Sequence, residues 1–203
     1  MTSSPKAALI VVDVQNDFCP GGKLAVKEGD SVVPPLNRAI ESFWSAGLPV
    51  VFTRDWHPPN HCSFKEHGGI WPPHCIAGTD GAEFHADLEV PDGSVIISKA
   101  TRPDFEAYSG FQGTDLEKQL ESLGVKELFV GGLATDYCVK QTSLDALAAG
   151  FKVEVMTDCV RGVEAKVGDS ASALRLMSKK GAKLTTSAEA IKQSRRAAIG
   201  SSS

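Results

Sequence analysis

Short runs of consecutive apolar residues recur along this chain, and they constrain its fold more strongly than any other feature. The runs are rich in Val and Ile and do not alternate with polar residues, which is typical of parallel strands covered on both faces. Such strands are predicted over residues 7–12, 48–52, 95–97, 128–130 and 153–156.

Segments with helical spacing of apolar residues separate these runs. Predicted helices that each stop at a glycine cover residues 32–46, 114–123, 138–149 and 165–180. The second opens with Thr114-Asp115-Leu116-Glu117, which has the form of a capping box. Strands that alternate with helices predict the α/β class, with a doubly wound, Rossmann-like and mostly parallel sheet that carries helices on both faces.

Length and charge narrow the class of protein further. The 203 residues suit one domain, predicted over 1–193, and a small, polar and basic end at 194–203 is predicted to be a disordered tail. The net charge of −4 and the lack of a basic stripe argue against a nucleic-acid partner. No apolar run approaches the roughly 20 residues of a membrane span, and no signal peptide is recognised. Five cysteines without a C-x-x-C pair favour a reduced, cytoplasmic chain.

The histidines are concentrated in one segment. All five lie between positions 57 and 85, within an irregular stretch around 56–93 that also contains five prolines. So long an irregular connection in a compact domain is usually functional or disordered, and the Trp, Phe and His content argues against disorder. We therefore predict an ordered loop that belongs to an active site.

Polar residues follow four of the predicted strands, at the edge where an open parallel sheet binds its ligands. They are Asp13, Asp55, Lys99 and Cys138. Cys138 follows a glycine-rich turn and opens a predicted helix, where backbone dipoles and Lys99 would lower the pKa of a thiol, and Asp13 could accept its proton. Each residue alone has an ordinary alternative: a small buried residue for Cys138, a turn residue for Asp13 and a solvated side chain for Lys99.

A second pattern suggests a metal site. Asp55-Trp56-His57 places two ligand types two residues apart on one side of an extended chain, and His74 is a candidate third ligand from the loop. One Asp and two His suit Zn²⁺, Fe²⁺ or Mn²⁺ and leave positions open for substrate, although loop histidines are often merely solvated. Phe18 and Trp71 could form flat walls around an aromatic substrate, or could be core residues.

Five blocks of sequence resemble nicotinamidases of the isochorismatase-like cysteine hydrolase superfamily. The blocks occur in the family's order from the first predicted strand to the last predicted helix. They are Asp13-Val14-Gln15-Asn16-Asp17-Phe18, Asp55-Trp56-His57-Pro58, Trp71-Pro72-Pro73-His74-Cys75, Lys99 and Gly132-Leu133-Ala134-Thr135-Asp136-Tyr137-Cys138.

The resemblance implies a role for each matching residue. The catalytic triad is Asp13, Lys99 and Cys138, and the metal ligands are Asp55, His57 and His74. The N–H groups of Ala134 and Cys138 form the oxyanion hole, beside a cis peptide bond Leu133–Ala134. The substrate contacts are Phe18, Trp71, Ala134 and Tyr137. A further metal contact, which varies among relatives, falls on Ser63 or Glu66, with His61 as an outsider.

The activity implied by this resemblance is hydrolysis of nicotinamide to nicotinate and ammonia through a cysteine thioester, in NAD salvage. Pyrazinamide is a related substrate, the implied cofactor is a divalent metal with Zn²⁺ ahead of Fe²⁺ and Mn²⁺, and a homo-oligomer is left open. The alternatives are a metal-independent isochorismatase-like or N-carbamoyl amide hydrolase, which generally lacks the Asp/His/His trio, and a non-catalytic metal-binding protein on the same scaffold.

Overall fold

A single six-stranded parallel sheet forms the centre of the molecule. The structure, a computed structural model, describes residues 6–200 and the side chains of residues 6–196. The strands are β1 (Lys6–Val12), β2 (Val50–Asp55), β3 (Val95–Lys99), β4 (Val125–Leu133), β5 (Lys152–Arg161) and β6 (Lys183–Thr185). Their order is β3-β2-β1-β4-β5-β6, and every neighbouring pair is parallel. The predicted fold class is confirmed.

Within the described residues, five α-helices cover both faces of the sheet. They are α1 (Val33–Ser45), α2 (Leu116–Ser122), α3 (Lys140–Ala148), α4 (Asp169–Lys179) and α5 (Ser187–Gly200). One core cluster joins α1 and α5 to one face through residues such as Phe43 and Ala190. The other joins α2, α3 and α4 to the opposite face through residues such as Leu120 and Met177. In the described residues, no helix combines the length and the apolar character needed to cross a bilayer.

The predicted disordered tail is wrong for residues 194–200, which belong to α5. Ser194 is buried, and its Oγ lies 2.9 Å from the Oγ of Ser42 on α1. Ala190 and Ile191 pack into the same core cluster, so helix packing outweighs the polar composition of this end. Residues 201–203 lie outside the described part of the chain.

The start of α2 also differs from the prediction. The residue that caps the helix is Asp115 rather than Thr114, and the Thr114 hydroxyl accepts a hydrogen bond from the Leu116 N–H at 3.2 Å. The edge strand β6 was not predicted, because Lys183-Leu184-Thr185 carries only one apolar residue and lies largely exposed.

The irregular segment around 56–93 is ordered by short contacts with its surroundings. Isolated bridges pair His57 with Ile76, Phe64 with Trp71, and Gln15 with Phe84. Phe64 is fully buried, so the segment has an apolar anchor of its own. These contacts hold the histidine-containing loop over the carboxyl ends of β1, β2 and β3.

The strand order changes direction between β1 and β4, and ligands in such sheets bind beside this point at the carboxyl ends of the strands. Close approach of the two chains there requires a glycine. Gly132 has a φ of 123°, and a Cβ at this position would collide with the backbone of Val12. The next peptide bond, Leu133–Ala134, is cis, as the resemblance implied.

Candidate active site

Four polar residues meet at the carboxyl ends of four neighbouring strands. Asp13 follows β1, Asp55 ends β2, Lys99 ends β3, and Cys138 lies in a π-helical turn, Thr135–Val139, between β4 and α3. The Lys99 ammonium lies 2.9 Å from Asp13 Oδ2, is ion-paired with Asp55 Oδ1, and lies 3.5 Å from Cys138 Sγ. It also donates to the Ala107 carbonyl at 3.2 Å. All four side chains are buried, so their charges interact with little screening by water.

Burial and the charges of neighbouring side chains act in opposite directions on the pKa values of this cluster. Burial opposes the charge of Lys99, but the carboxylates of Asp13 and Asp55 outweigh it and raise the pKa of Lys99 well above its usual range. Burial raises the pKa of Asp13, against the opposing effect of Lys99. Burial acts on Asp55 in the same sense, but Lys99 and the two neighbouring histidines outweigh it and lower the pKa of Asp55. Asp13 is thus the more basic of the two carboxylates.

The thiol of Cys138 differs from its prediction. Burial raises its pKa well above that of a free cysteine, and Lys99 reduces this rise without reversing it. The sequence predicted a lowered pKa from the start of a helix, but it could not show that the sulfur is buried beside two carboxylates. A raised pKa favours the neutral thiol, so a thiolate at this position would need a neighbouring proton acceptor.

Asp13 has the position and the free capacity of such an acceptor. Its Oδ1 accepts a hydrogen bond from the Thr53 hydroxyl at 2.6 Å. Its buried Oδ2 has Lys99 as a charge partner but no aligned hydrogen-bond donor among the described residues. Carboxylate oxygens of Asp13 and Asp55 and the sulfur of Cys138 all lie within 4.8 Å of one another.

A second cluster adjoins the first through Asp55. Asp55, His57 and His74 are buried, and one potential ligand atom from each lies within 4.8 Å of the others. His57 Nε2 is 4.0 Å from Asp55 Oδ1, and His74 Nε2 is 4.0 Å from Asp55 Oδ2. These separations are too long for hydrogen bonds and leave room for a cation with metal–ligand bonds of about 2.0–2.2 Å.

The two imidazoles are oriented for coordination. His57 Nδ1 lies 3.1 Å from the His74 carbonyl, and His74 Nδ1 lies 2.8 Å from the Pro72 carbonyl. A carbonyl only accepts hydrogen bonds, so each Nδ1 carries a proton, and each Nε2 is the ring nitrogen that faces Asp55. Burial lowers the pKa of His57 to about 4, which keeps its ring neutral. The residues present therefore fit a divalent cation.

A small cavity lined mostly by apolar and aromatic side chains opens beside both clusters. Flat ring surfaces of this kind suit a small aromatic group. All four predicted substrate contacts line it, together with Cys138 and with Asp55 and His74 of the candidate metal trio. The lining consists of Phe18, Leu24, Asp55, Trp71, His74, Tyr108, Ala134, Tyr137, Cys138 and Val163.

Comparison with known proteins assigns the family. The sequence profile described as "Isochorismatase domain" matches residues 7–189, which is most of the chain. The chain belongs to the isochorismatase family. The match includes all six strands of the sheet except the first residue of β1.

Named relatives of this isochorismatase-family chain are enzymes. The nicotinamidase of Escherichia coli (strain K12) is 43% identical over 206 residues, which cover 91% of this chain and 97% of that protein. The nicotinamidase/pyrazinamidase of Mycobacterium tuberculosis (strain ATCC 25618 / H37Rv) is 42% identical over 169 residues, or 78% and 88% of the two chains. Pyrazinamidase of Pyrococcus horikoshii, solved in complex with zinc, has a TM-score of 0.86 at 52% identity and covers 90% and 99% of the two chains. This isochorismatase-family chain is an amidohydrolase.

Three residues considered for a further metal contact lie outside the trio. Glu66 is exposed on a short helical turn, Lys65–His67, and belongs to none of the candidate ligand groups found among the described residues. Ser63 is buried, but its Oγ lies 2.7 Å from His61 Nδ1. The His61 ring packs 4.4 Å from the His57 ring, and its Nε2 lies 3.1 Å from the Phe105 carbonyl. A fourth protein ligand stays a prediction.

Sequence reasoning missed three residues of the cavity, Leu24, Tyr108 and Val163. Tyr108 matters most, because its hydroxyl accepts a hydrogen bond from the Trp71 indole N–H at 2.9 Å and so fixes that ring. Tyr108 and Leu24 lie in irregular connections, and Val163 just beyond β5. No periodicity or strand end marks such positions, so the sequence carries no local signal for them.

The lowered pKa of His57 predicts how the stability of the metal-free protein depends on pH. An unfolded histidine has a pKa of 6.5, whereas His57 in the folded chain has one of about 4. The unfolded state therefore binds more protons between these two pKa values. The contribution of His57 to the free energy of unfolding is fully present above pH 6.5 and is lost as the pH falls toward 4. The expected contribution is about 3 kcal/mol. Urea unfolding of metal-free wild type and His57→Gln at a series of pH values measures it, and equal pH dependence in the two proteins would contradict the prediction.

Proposed function

We propose that this chain is a nicotinamidase, which hydrolyses nicotinamide to nicotinate and ammonia through a thioester on Cys138. One observation carries the proposal: a buried Asp13–Lys99–Cys138 cluster and an Asp/His/His trio open onto the same small aromatic cavity. The names of the relatives from Escherichia coli and Mycobacterium tuberculosis support the same substrate.

The cavity suits a planar heteroaromatic amide. Phe18 and Trp71 supply apolar ring surfaces, and Trp71 is held edge-on to Tyr137 with ring centroids 5.0 Å apart. A pyridine ring seated among them has its carboxamide toward Cys138 and its ring nitrogen toward His74 and Asp55. Pyrazinamide presents the same carboxamide on a ring of the same size, so we propose it as a second substrate.

We propose that Asp55, His57 and His74 hold a divalent cation, with zinc ahead of iron(II) and manganese(II). Two imidazoles whose Nε2 atoms face the Asp55 carboxylate support this, and so does the zinc complex of the Pyrococcus horikoshii pyrazinamidase. When bound, the cation would supply a Lewis acid that orients the heteroaromatic ring and withdraws electron density from it.

The side chains of the chain itself perform the covalent steps. Asp13 accepts the Cys138 proton, and the thiolate adds to the amide carbon to form a tetrahedral intermediate. The N–H groups of Ala134 and Cys138 stabilise the oxyanion. Asp13 returns the proton to the nitrogen, the C–N bond breaks and ammonia leaves, with the acyl group now on sulfur. Asp13 then removes a proton from water as the water attacks the thioester, which releases nicotinate and restores the thiol.

Lys99 keeps this proton exchange electrostatically balanced. Its ammonium stays charged between Asp13, Asp55 and the sulfur, so it stabilises the carboxylate before proton transfer and the thiolate after it. The raised pKa of Asp13 brings its basicity closer to that needed for general acid–base work near neutral pH.

Removal of metal tests the proposed function most directly. We expect purified protein to release ammonia from nicotinamide, to lose most of this activity after dialysis against a chelator, and to recover it when Zn²⁺, Fe²⁺ or Mn²⁺ is added back. Metal content is measured on the same samples. Full activity in protein that contains no metal would favour the metal-independent hydrolase, and no hydrolysis in any metal form would contradict the proposal.

We also propose that the product enters NAD salvage and that the protein works in a reducing compartment such as the cytoplasm. Five free cysteines, of which four are buried, support the second statement.

A further inference from the structure

The backbone of Asp55 lies at the point where β2 loses its neighbour β1. In a parallel ladder, alternate residues of a strand direct their N–H and C=O groups to opposite neighbours. Asp13 N–H donates to the Thr53 carbonyl at 3.1 Å on the β1 side, and Trp56 N–H donates to the Lys99 carbonyl at 3.1 Å on the β3 side. Asp55, two residues after Thr53, therefore faces the β1 side.

Among the residues that the structure describes, no strand continues on that side. β1 ends at Val12, and Asp13 has a φ of 48°, in the left-handed region, so the chain turns away from the sheet. The last β1–β2 pair in the register is Val12 with Thr53. The buried N–H and C=O of Asp55 therefore need a partner from elsewhere, because an unpaired buried backbone group is costly.

The side chain of Gln15 takes the place of the missing strand. Its Oε1 accepts the Asp55 N–H at 2.8 Å, and its Nε2 donates to the Asp55 carbonyl at 2.8 Å. The second Nε2 proton is donated to the Ala82 carbonyl at 2.8 Å. Gln15 is fully buried, and among the side chains that offer one acceptor and two donors only glutamine has this length.

We propose that Gln15 is a positioning residue for Asp55 and thereby sets the affinity of the metal site, an inference that rests on the metal binding in the proposed function. The amide bonds both backbone groups of Asp55, so it fixes the direction in which the Asp55 carboxylate leaves the chain, toward Lys99 and the two histidines.

The hydrogen bond from Gln15 to the Ala82 carbonyl connects the same amide to the loop that carries His74. The Ala82 carbonyl lies next to Gly81, whose own carbonyl accepts from the Cys75 thiol at 3.8 Å. Cys75 directly follows His74. A single buried amide thus joins the end of β2 to the segment that presents the imidazole of His74, and the distance between the two ligands depends on both.

Zinc affinity measured against a chromogenic chelator tests this inference. Gln15→Met keeps the length of the side chain and removes all three hydrogen bonds. We expect it to bind Zn²⁺ about 10- to 100-fold more weakly than wild type, as is usual when an outer-sphere partner of a metal ligand is lost. We also expect the visible absorption bands of the Co²⁺-substituted protein to shift, because they report the ligand geometry.

A matched control separates positioning from general destabilisation. The Asn37 amide makes the same kind of two-point contact, since its Nδ2 donates to the Asp87 carbonyl at 2.7 Å and its Oδ1 accepts the Glu89 N–H at 3.0 Å. Asn37 lines neither the cavity nor the metal trio. Asn37→Leu should lower the melting temperature and leave zinc affinity and the Co²⁺ spectrum unchanged.

Should Gln15→Met fail to fold, Gln15→Asn is used, since it keeps the amide but shortens the side chain by one methylene group. Suppose that wild type binds zinc tightly and that a folded Gln15 variant matches it within about twofold in zinc affinity and gives the same Co²⁺ spectrum. This result would overturn the inference and leave the proposed function intact. Wild type that binds no zinc would overturn the proposed metal site itself.

Discussion

Replacement of Cys138 by alanine is expected to reduce nicotinamide hydrolysis by about 10⁴-fold or more, as loss of the attacking group does in other covalent hydrolases. The reason is that every later step of the proposed mechanism requires the acyl–sulfur bond, and Cys138 is the one thiol among the described residues that line the cavity. The sulfur lies within 4.8 Å of Asp13, the proposed proton acceptor, and 3.5 Å from Lys99. Ammonia release under saturating nicotinamide measures the effect.

The control for this variant is Cys159→Ala. Cys159 is also fully buried, and burial also raises the pKa of its thiol, but it lies on β5 and does not line the cavity. Its replacement should lower stability and leave the rate constant within a few-fold of wild type. Normal turnover by Cys138→Ala would remove the thioester from the mechanism.

Replacement of Lys99 by methionine is expected to cost both stability and activity. Lys99 is 1% exposed and neutralises two buried carboxylates, so in metal-free protein its loss leaves Asp13 and Asp55 without their counter-charge in the interior. Breaking a buried pair in this way typically costs about 3–5 kcal/mol. The thiolate also loses its counter-charge, so turnover should fall by about 10²-fold or more. Urea unfolding and the nicotinamide assay measure the two effects.

Two further variants make this prediction specific. Lys192 also forms an ion pair, 2.8 Å from Glu189, but the two side chains are 62% and 55% exposed, so Lys192→Met should change the free energy of unfolding by no more than about 1 kcal/mol. Adding Asp13→Asn to Lys99→Met should recover part of the lost stability, since one of the two unpaired charges is removed. A Lys99→Met protein as stable and as active as wild type would show that the Lys99 ammonium does not stabilise the charges of its buried neighbours.

The sheet could be predicted from sequence because its central strands are buried on both faces. Their side chains must all be apolar, and this leaves runs such as 7–12 and 128–130 that few other structures produce. β6 and the end of α5 lie at the edge of the fold, where polar residues are tolerated. Ser194 is polar yet buried, because its hydroxyl meets that of Ser42 from a helix 152 positions away in sequence.

The residues of the candidate site also differ in whether the sequence could identify them. Asp13, Asp55 and Lys99 could be selected from sequence because they stand at the ends of recognisable strands, and parallel strands bring their ends to one edge. Tyr108 and Gln15 could not, because their functions depend on partners 37 and 40 positions away, the Trp71 indole and the Asp55 backbone. Glu66 was a candidate by residue type, and its exposure separates it from the trio.

The class of fold could be read from the sequence, and so could the chemical types available at one sheet edge: a thiol, an ammonium, two carboxylates and a pair of imidazoles. Apolar runs and strand ends are local properties, and local properties can be read along a chain. The tertiary structure alone decided the protonation of these groups and the support behind them. Burial raises the pKa of the Cys138 thiol and lowers that of His57. The side-chain amide of Gln15, just after β1, bonds the backbone of Asp55 at the end of β2. Neither effect can be read locally, because desolvation and hydrogen bonding depend on which distant segments surround a residue.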